Sequence, residues 1–236
     1  MKKKIIRLWL TLRHQIFGWR YRRLTIEHVH DVPLIILPQV FNPVLFRSGE
    51  LLARSIESTS LLNQNDHQIP FVLDLGCGSG IGAVFAARRG ARVIAVDINP
   101  EAIRCVRLNA ILNHLDDRIQ PRFGDLFEPV ENERFDLVLF NPPFYRGQPK
   151  DEIDRAWRGE HLFERFAAGL DSYLTPKGTA LIVLSTDGEG QCLLNALGAA
   201  GFVIMPVVQR DFGNEVITVY QVNAVKQVSE NDDHSL

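Results

Sequence analysis

The stretch that most constrains the fold is residues 71–82, FVLDLGCGSGIG. Its apolar start, residues 71–75, ends abruptly in glycines, as a buried parallel strand does where it leaves its sheet. Glycine can take a positive φ and can let a ligand approach the backbone closely, because it has no Cβ. Residues 81–89 then continue at helical period. The pattern predicts a strand, a tight turn and a helix, and such a junction binds ligands in open α/β sheets.

The spacing of the turn glycines narrows the class of ligand. Gly76, Gly78 and Gly80 form a G-x-G-x-G pattern. The dinucleotide pattern G-x-G-x-x-G fails in every frame, since no third position is glycine. The sequence therefore disfavours a dinucleotide and favours a smaller nucleotide-like cofactor.

A second strand is predicted at residues 91–96, and Asp97 ends it. A carboxylate at the tip of the second strand of such a fold can accept hydrogen bonds from a ribose diol. Asn99 and Pro100 then begin another helix, with proline in its first turn. Taken alone, Asp97 could instead cap that helix.

Two further motifs follow predicted strands. Residues 124–129, GDLFEP, come after a third strand, and Asn141-Pro142-Pro143-Phe144 closes a fourth at residues 135–140. Taken alone, Asp125 could be an exposed turn carboxylate, and a Pro-Pro pair could be a simple exit from the strand. Their joint spacing with the glycine turn favours a functional site.

These motifs resemble the class I S-adenosylmethionine-dependent methyltransferases, whose first motif is similar to residues 74–80 and whose acidic residue after the second strand matches Asp97. Residues 124–129 and the N-P-P-F sequence look like the HemK family of protein glutamine methyltransferases, and more broadly like the N-P-P-[FY] amino-methyltransferases. Residues 154–159, DRAWRG, are more similar to the eukaryotic and archaeal branch of that family. The resemblance covers about residues 40–222.

The resemblance implies an α/β fold, with a seven-stranded Rossmann-like sheet, helices on both faces and an antiparallel strand at the C-terminal end. It implies S-adenosylmethionine as the cofactor. The candidate cofactor-binding residues include the turn glycines and Asp97 discussed above. With those that the resemblance adds, they are Asp74, Gly76, Cys77, Gly78, Gly80, Asp97, Ile98, Asp125, Leu126 and Asn141.

The chemistry predicts catalytic roles for Asn141, Pro142 and Phe144. An amide or ring-bound amino nitrogen is a poor nucleophile, because its lone pair is delocalised. The side-chain oxygen of Asn141 and the carbonyl of Pro142 can accept its two N–H groups and turn the lone pair toward the methyl group. The prolines hold these acceptors stiffly, and Phe144 offers a flat face to the planar group. No general base is required, so catalysis rests on alignment.

A helix is predicted from a capping Ser48 to about residue 62, after a hairpin with strands at residues 24–29 and 34–37. In HemK-like enzymes the matching segment closes over the cofactor. The pattern departs here, because Phe46-Arg47-Ser48-Gly49-Glu50 replaces the usual acidic-threonine pair. Ser48 and Glu50 are therefore candidate cofactor neighbours, and Glu50 could equally be a first-turn carboxylate favoured by the helix dipole.

Charge is unevenly distributed along the chain. Of the 26 basic residues, eight lie in residues 1–23, whereas all 28 acidic residues lie beyond them. The apolar residues of this basic segment recur at helical spacing: Ile5, Trp9, Leu12, Ile16 and Trp19. We expect an amphipathic helix that packs on the acidic body or a second subunit, or that binds an anionic membrane surface or RNA phosphates. Arg7 and Arg13 interrupt the apolar run, so a signal peptide is not expected.

The expected organisation is a basic helix at 1–23, a hairpin and helix that form a cofactor lid at 24–62, a catalytic domain at 63–228 and a disordered tail at 229–236. Within the catalytic domain we expect helices at 153–170 and 190–200 and strands at 178–185, 202–208 and 216–222. The three cysteines are odd in number, which suits a reducing cytosol. No metal-ligand spacing or membrane-spanning apolar run occurs.

Three functions are compatible with this sequence. The first is methylation of a protein glutamine or other side-chain nitrogen in the cytoplasm, with a translation release factor as the candidate substrate that the resemblance implies. The second is methylation of an adenine or guanine amine in RNA or DNA, with the basic helix as the nucleic-acid contact. The third, a non-catalytic partner or membrane-peripheral adaptor, is disfavoured because the glycine turn, Asp97 and Asn141 are all present.

Overall fold

The computed structural model describes residues 23–44, 47–63, 68–143, 145–146, 158–159, 161–213 and 215–224. For residues 145–146 and 158–159 only the backbone is described. The predicted basic helix, apart from Arg23, lies outside these residues, and so do Phe144, Trp157 and the predicted tail.

Five helices and eleven strands occur in the described residues. The helices are α1 (Ser48–Ser58), α2 (Ile81–Arg88), α3 (Pro100–Leu112), α4 (Leu162–Tyr173) and α5 (Gly190–Ala199). The strands are β1 (Thr25–Val29), β2 (Val32–Ile36), β3 (Phe71–Leu75), β4 (Arg92–Asp97), β5 (Ile119–Phe123), β6 (Phe135–Phe140), β7 (Tyr145–Arg146), β8 (Arg158–Gly159), β9 (Leu174–Ser185), β10 (Phe202–Asp211) and β11 (Val216–Ala224). A 3₁₀ turn at Glu128–Val130 precedes β6.

The main sheet has seven strands in the order β10-β11-β9-β6-β3-β4-β5. β11 runs antiparallel to both of its neighbours, and the five strands from β9 to β5 pair in parallel. This confirms the predicted seven-stranded mixed sheet with an antiparallel strand near the C-terminus. β1 and β2 pair separately as an antiparallel hairpin, and β7 and β8 form a short parallel pair.

Successive side chains of the central strands enter two different cores. Val72 packs in a core with residues of α1, α2, α3 and the hairpin, whereas Leu73 packs in a core with residues of α4 and α5. The side chains on both faces of these strands are fully buried, as in Val72, Leu73, Leu137 and Val138. Helices cover both faces, as predicted, and this explains why the strands read as continuous apolar runs.

Two predicted helix boundaries were wrong. Arg47, not Ser48, precedes α1 as its N-cap residue, with φ 57°. α1 ends at Ser58 instead of residue 62, because the guanidinium of Arg89 donates to carbonyls at the helix end, those of Ile56, Glu57 and Thr59. This contact satisfies acceptors that a longer helix would otherwise have used.

Of the helix predicted over residues 153–170, the described part begins at Leu162. Residues 153–157 and 160 lie outside the described residues. Residues 158–159 instead pair with residues 145–146 as strands, and His161 has φ 51°, which is not helical. Phe166 and Leu170 are fully buried, as the pattern predicted.

A buried amide joins the hairpin to the glycine turn. Asn109 of α3 is fully buried. Its Nδ2 donates to the carbonyls of Ile35 and Ser79, each at 2.8 Å, and its Oδ1 accepts from the Ile35 N–H at 2.7 Å. One side chain therefore satisfies backbone groups of β2 and of the turn together.

We predict that Asn109→Leu destabilises the protein by about 2–4 kcal/mol, because one buried and two part-buried backbone groups lose their partner while the number of side-chain heavy atoms is kept. Urea unfolding would measure this change. The control is Asn195→Leu, at an exposed position of α5, which should change stability little. Equal effects of the two substitutions would contradict this account of Asn109.

Candidate active site

The glycine turn lies at the edge of the sheet where three parallel strands end. In the register of the sheet, Leu75 at the end of β3 pairs with Val96 of β4 and with Phe140 of β6. The residues that follow these positions therefore lie at the same edge, which is where open α/β sheets bind ligands.

The turn has the backbone conformation that its glycines predicted. Gly76, Gly78 and Gly80 have φ values of 61°, 52° and 81°. A Cβ on Gly80 would come within 3.0 Å of a Val106 methyl carbon, so the turn packs tightly against α3 on that side. A Cβ on Gly76 would meet nothing within 4 Å. The turn is thus closed toward the protein at Gly80 and open at Gly76, as a cradle for a ligand must be.

Asp97 holds the turn through its carboxylate. One oxygen accepts from the Gly78 N–H and the other from the Asn99 N–H, both at 2.8 Å. Asn99, and not Asp97, caps α3, since its side chain accepts from the Glu101 N–H at 2.9 Å. The alternative in which Asp97 merely caps the next helix is therefore wrong. Its predicted contact with a ribose stays a prediction, as does that of the half-buried Ile98 beside it.

Asp74 lies at the end of β3, just before the glycine turn, and Cys77 lies within the turn. Asp74 is 4% exposed, and its carboxylate accepts from the Ala83 N–H in the first turn of α2 at 2.8 Å. Burial raises the pKa of this carboxyl to about 7, against the lowering effect of the Ala83 N–H and with a further rise from the charge of Asp97. Burial also raises the pKa of the Cys77 thiol well above its ordinary value. The Asp74 carboxylate thus joins the end of β3 to the start of α2, and the predicted roles of Asp74 and Cys77 toward the cofactor remain predictions.

The third predicted motif reaches the same edge. The Gly124 N–H donates to the carbonyl of Asp97 at 3.1 Å, which places residues 124–126 beside the tip of β4. Asp125 forms an ion pair with Arg165 of α4 at 2.9 Å. Leu126 has φ 47° and is half-buried against the core that contains α4. The predicted adenine contacts of Asp125 and Leu126 are not tested by these interactions.

Asn141 follows β6 at this edge. Its Nδ2 donates to the Ser48 hydroxyl oxygen at 3.2 Å. Its Oδ1 is buried and has no hydrogen-bond partner among the described residues. Pro142 is buried and Pro143 is half-buried. An acceptor that is shielded from water and unpaired costs free energy, so it is well suited to a donor that arrives with a ligand.

The contact between Ser48 and Asn141 was missed by sequence reasoning. These residues are separated by 93 positions, and no local pattern links them. Glu50, the other candidate in this segment, forms an i,i+4 ion pair with Arg54 at 2.8 Å and is partly exposed. This matches the alternative of a first-turn carboxylate.

Two further observations concern metal ions and membranes. In the described part of the chain no three His, Cys, Asp or Glu side chains form a group that could hold a metal ion. Among the same residues, no helix is long and apolar enough to cross a membrane.

Comparison with known proteins decides the family. Residues 49–203 match the family model described as the methyltransferase small domain. The chain belongs to this methyltransferase family. It is an S-adenosylmethionine-dependent enzyme with a HemK-like class I fold, as the motifs predicted. The positive-φ turn, which is open at Gly76, fits a bound S-adenosylmethionine. The unpaired oxygen of Asn141 fits a methyl acceptor that carries an N–H group beside it.

The methyltransferase has relatives with two classes of acceptor. A Methanocaldococcus jannaschii protein, provisionally named a protein N5-glutamine methyltransferase, is 30% identical over 76% of this chain and 89% of its own length. The human methyltransferase HEMK2 is 28% identical over 64% of this chain and 76% of its own length. The ribosomal RNA small subunit methyltransferase C of Alcanivorax borkumensis is 31% identical over 69% of this chain but only 46% of its own length.

Solved structures agree on the fold. The Mtq2 and Trm112 complex of E. cuniculi, whose described role is methylation of the termination factor eRF1, aligns over 79% of this chain and 99% of the matched chain, with a TM-score of 0.57 and 19% identity. The ribosomal protein L11 methylase of Lactobacillus delbrueckii subsp. bulgaricus aligns over 78% of this chain and 82% of its own, with a TM-score of 0.56 and 21% identity.

We predict that Asp97→Ala weakens S-adenosylmethionine binding by about 10- to 100-fold, because hydrogen bonds to a charged group are lost and the turn is released. Calorimetric titration would measure the affinity. The control is Asp136→Ala, since the Asp136 carboxylate also accepts two hydrogen bonds, from Phe71 and Thr175. It lies at the opposite end of the sheet and should leave the affinity unchanged. Unchanged affinity in Asp97→Ala would refute the role of this carboxylate.

The raised pKa of Asp74 predicts a pH dependence of stability. Its value is about 7 in the folded protein against 3.8 in an unperturbed aspartate, so the folded state binds more protons between these values. The protonated Asp74 carboxyl therefore contributes to the free energy of unfolding at low pH, and this contribution is lost as the pH rises through about 7. Asp74→Asn keeps an oxygen for the Ala83 N–H but cannot ionise. Its stability relative to the wild type should rise between pH 5 and pH 8, as measured by urea unfolding; a fall over that range would contradict the shift.

Proposed function

We propose that this methyltransferase transfers the methyl group of S-adenosylmethionine to the side-chain amide nitrogen of a glutamine in a protein. The observation that carries the proposal is the buried, unpaired Oδ1 of Asn141 at the sheet edge that also holds the glycine turn. It is an acceptor for one N–H of a planar NH₂ group. The Pro142 carbonyl is the proposed acceptor for the second N–H.

The chain's own residues supply alignment. When bound, S-adenosylmethionine supplies a methyl carbon on a positively charged sulfur. Two fixed acceptors would hold the plane of the amide so that its nitrogen lone pair faces this carbon. The nitrogen–carbon bond forms as the carbon–sulfur bond breaks, and the nitrogen then releases one proton to water. Phe144 remains the proposed flat face against the acceptor, and it lies outside the described residues.

Two observations support a protein acceptor. The archaeal and human relatives, which carry names of glutamine or HemK-type methyltransferases, match most of their own length to this chain. Beyond residue 23 the chain holds all 28 of its acidic residues, and an acidic body disfavours contact with polynucleotide phosphates. A translation release factor is the proposed substrate, in a cytoplasmic location that suits the free cysteines Cys77, Cys105 and Cys192.

A second candidate function is methylation of an adenine or guanine amine in RNA or DNA. A base amine presents the same two N–H groups as an amide. The ribosomal RNA relative and the basic residues 1–23 favour this candidate, with the basic segment as the contact to nucleic-acid phosphates. Binding of the same segment to an anionic membrane surface is a separate proposal.

We predict that Asn141→Ala binds S-adenosylmethionine with wild-type affinity but transfers methyl groups at least about 100-fold more slowly. The substitution removes one preorganised hydrogen-bond acceptor that holds the reacting nitrogen. Calorimetry and transfer of tritium from labelled S-adenosylmethionine would measure the two quantities. Gly78→Arg is the control that should lose both. A parallel loss of affinity and rate in Asn141→Ala would instead show a structural role.

The acceptor class can be tested with an extract of cells that lack this protein. Label transferred from tritiated S-adenosylmethionine should resist nuclease and be released by protease, and Asn141→Ala should transfer little. Label that is lost to nuclease would establish the nucleic-acid candidate instead.

A further inference from the structure

Ser48 contacts the proposed catalytic amide of Asn141. It is the first residue of α1 and is fully buried. Its hydroxyl oxygen lies 3.2 Å from Nδ2 of Asn141 and accepts a hydrogen bond from it. The other end of the same amide, Oδ1, is the buried acceptor without a partner in the described chain. The contact therefore engages the donor end of Asn141 and leaves the acceptor end for a ligand.

The backbone around Ser48 is held from both sides. Arg47 has φ 57°, and its guanidinium carbon lies 4.5 Å from the centre of the Phe212 ring, beyond the end of β10. On the other side, a Cβ on Gly49 would lie 2.4 Å from the Cβ of Pro43. Glycine is thus required where the two chain segments touch. Residues 47–49 are fixed between Pro43 and Phe212, so the Ser48 hydroxyl occupies a set position.

We propose that Ser48 is a positioning residue for methyl transfer, which fixes the rotation of the Asn141 amide so that Oδ1 faces the acceptor N–H. An asparagine amide rotates readily about its last side-chain bond, because that torsion has broad minima. A hydrogen bond from Nδ2 to a buried hydroxyl restricts this rotation. The proposal rests on the proposed function, since it assigns Ser48 to the acceptor contact of Asn141.

This role differs from the cofactor contact that the sequence suggested for Ser48. A cofactor neighbour would change the affinity for S-adenosylmethionine when substituted. A residue that acts through Asn141 would instead change the rate of transfer, and only while Asn141 is present. These consequences can be separated by a double-mutant cycle.

The first experiment compares Ser48→Ala, Asn141→Ala and the double variant in tritium transfer to the cell extract described above. Ser48→Ala should be about tenfold slower, the size expected for one lost hydrogen bond, with unchanged affinity for S-adenosylmethionine. The double variant should be no slower than Asn141→Ala alone. The control is Ser58→Ala, an exposed serine on the same helix, which should keep the wild-type rate. A further tenfold loss in the double variant, or a parallel loss of cofactor affinity, would overturn the proposal.

The second experiment needs no methyl transfer. The side-chain NH₂ signals of Asn141 can be assigned in a nitrogen-15 NMR spectrum by their disappearance in Asn141→Asp. Ser48→Ala should shift these signals and Ser58→Ala should not. An inactive wild-type protein that shows this shift would refute the proposed function while leaving the contact in place. Signals that do not respond to Ser48→Ala would refute the positioning role itself.

Discussion

The hydrogen-bonded register of β3 with its two neighbours is the constraint on which the rest of the structure depends. Parallel pairing places Leu75 beside both Val96 and Phe140. The chain therefore leaves three strands at one level, and the glycine turn, Asp97 and Asn141 emerge at the same edge. A shift of one residue in either pairing would move a tip along the strand and turn its side chains to the other face. The two buried cores fix the register against such a shift.

The hairpin and α1 are hydrogen-bonded to the elements that carry the candidate site. Asn109 ties Ile35 of the hairpin to the Ser79 carbonyl within the glycine turn. The Asn99 side chain donates to the Gln39 carbonyl at 2.9 Å, just beyond the hairpin. The Asn109–Ser79 contact is buried, so its polar groups need each other as partners, whereas the Asn99–Gln39 contact is exposed. The segment is thus held over the same sheet edge as the predicted cofactor residues.

Local patterns predicted the parts of the site whose geometry is local. The positive-φ turn, the carboxylate at the end of β4 and the asparagine after β6 each follow from a few adjacent residues. The end of α1 and the conformation of residues 158–159 were predicted wrongly because contacts between separate segments decide them. Arg89 binds carbonyls at the end of α1, and residues 158–159 pair with residues 145–146 as strands instead of forming part of a helix. The Ser48 contact could not be predicted for the same reason, since it exists only once the sheet and α1 have assembled.

The unpaired Oδ1 of the Asn141 amide is the reason for proposing a nitrogen atom as the methyl acceptor at this edge. Leaving a buried acceptor unpaired costs about 1–3 kcal/mol, so an unused oxygen would be disfavoured at a position with no other purpose. An N–H group on the methylated substrate would donate to Asn141 Oδ1 and recover that free energy on binding. A substrate hydroxyl or carbon atom does not carry two such donors, so it would leave the proposed second hydrogen-bond acceptor, the Pro142 carbonyl, without a donor. Amides and base amines both satisfy two acceptors at once. The Asn141 amide therefore does not choose between them, and the proposed protein acceptor rests on the excess of acidic over basic residues beyond residue 23.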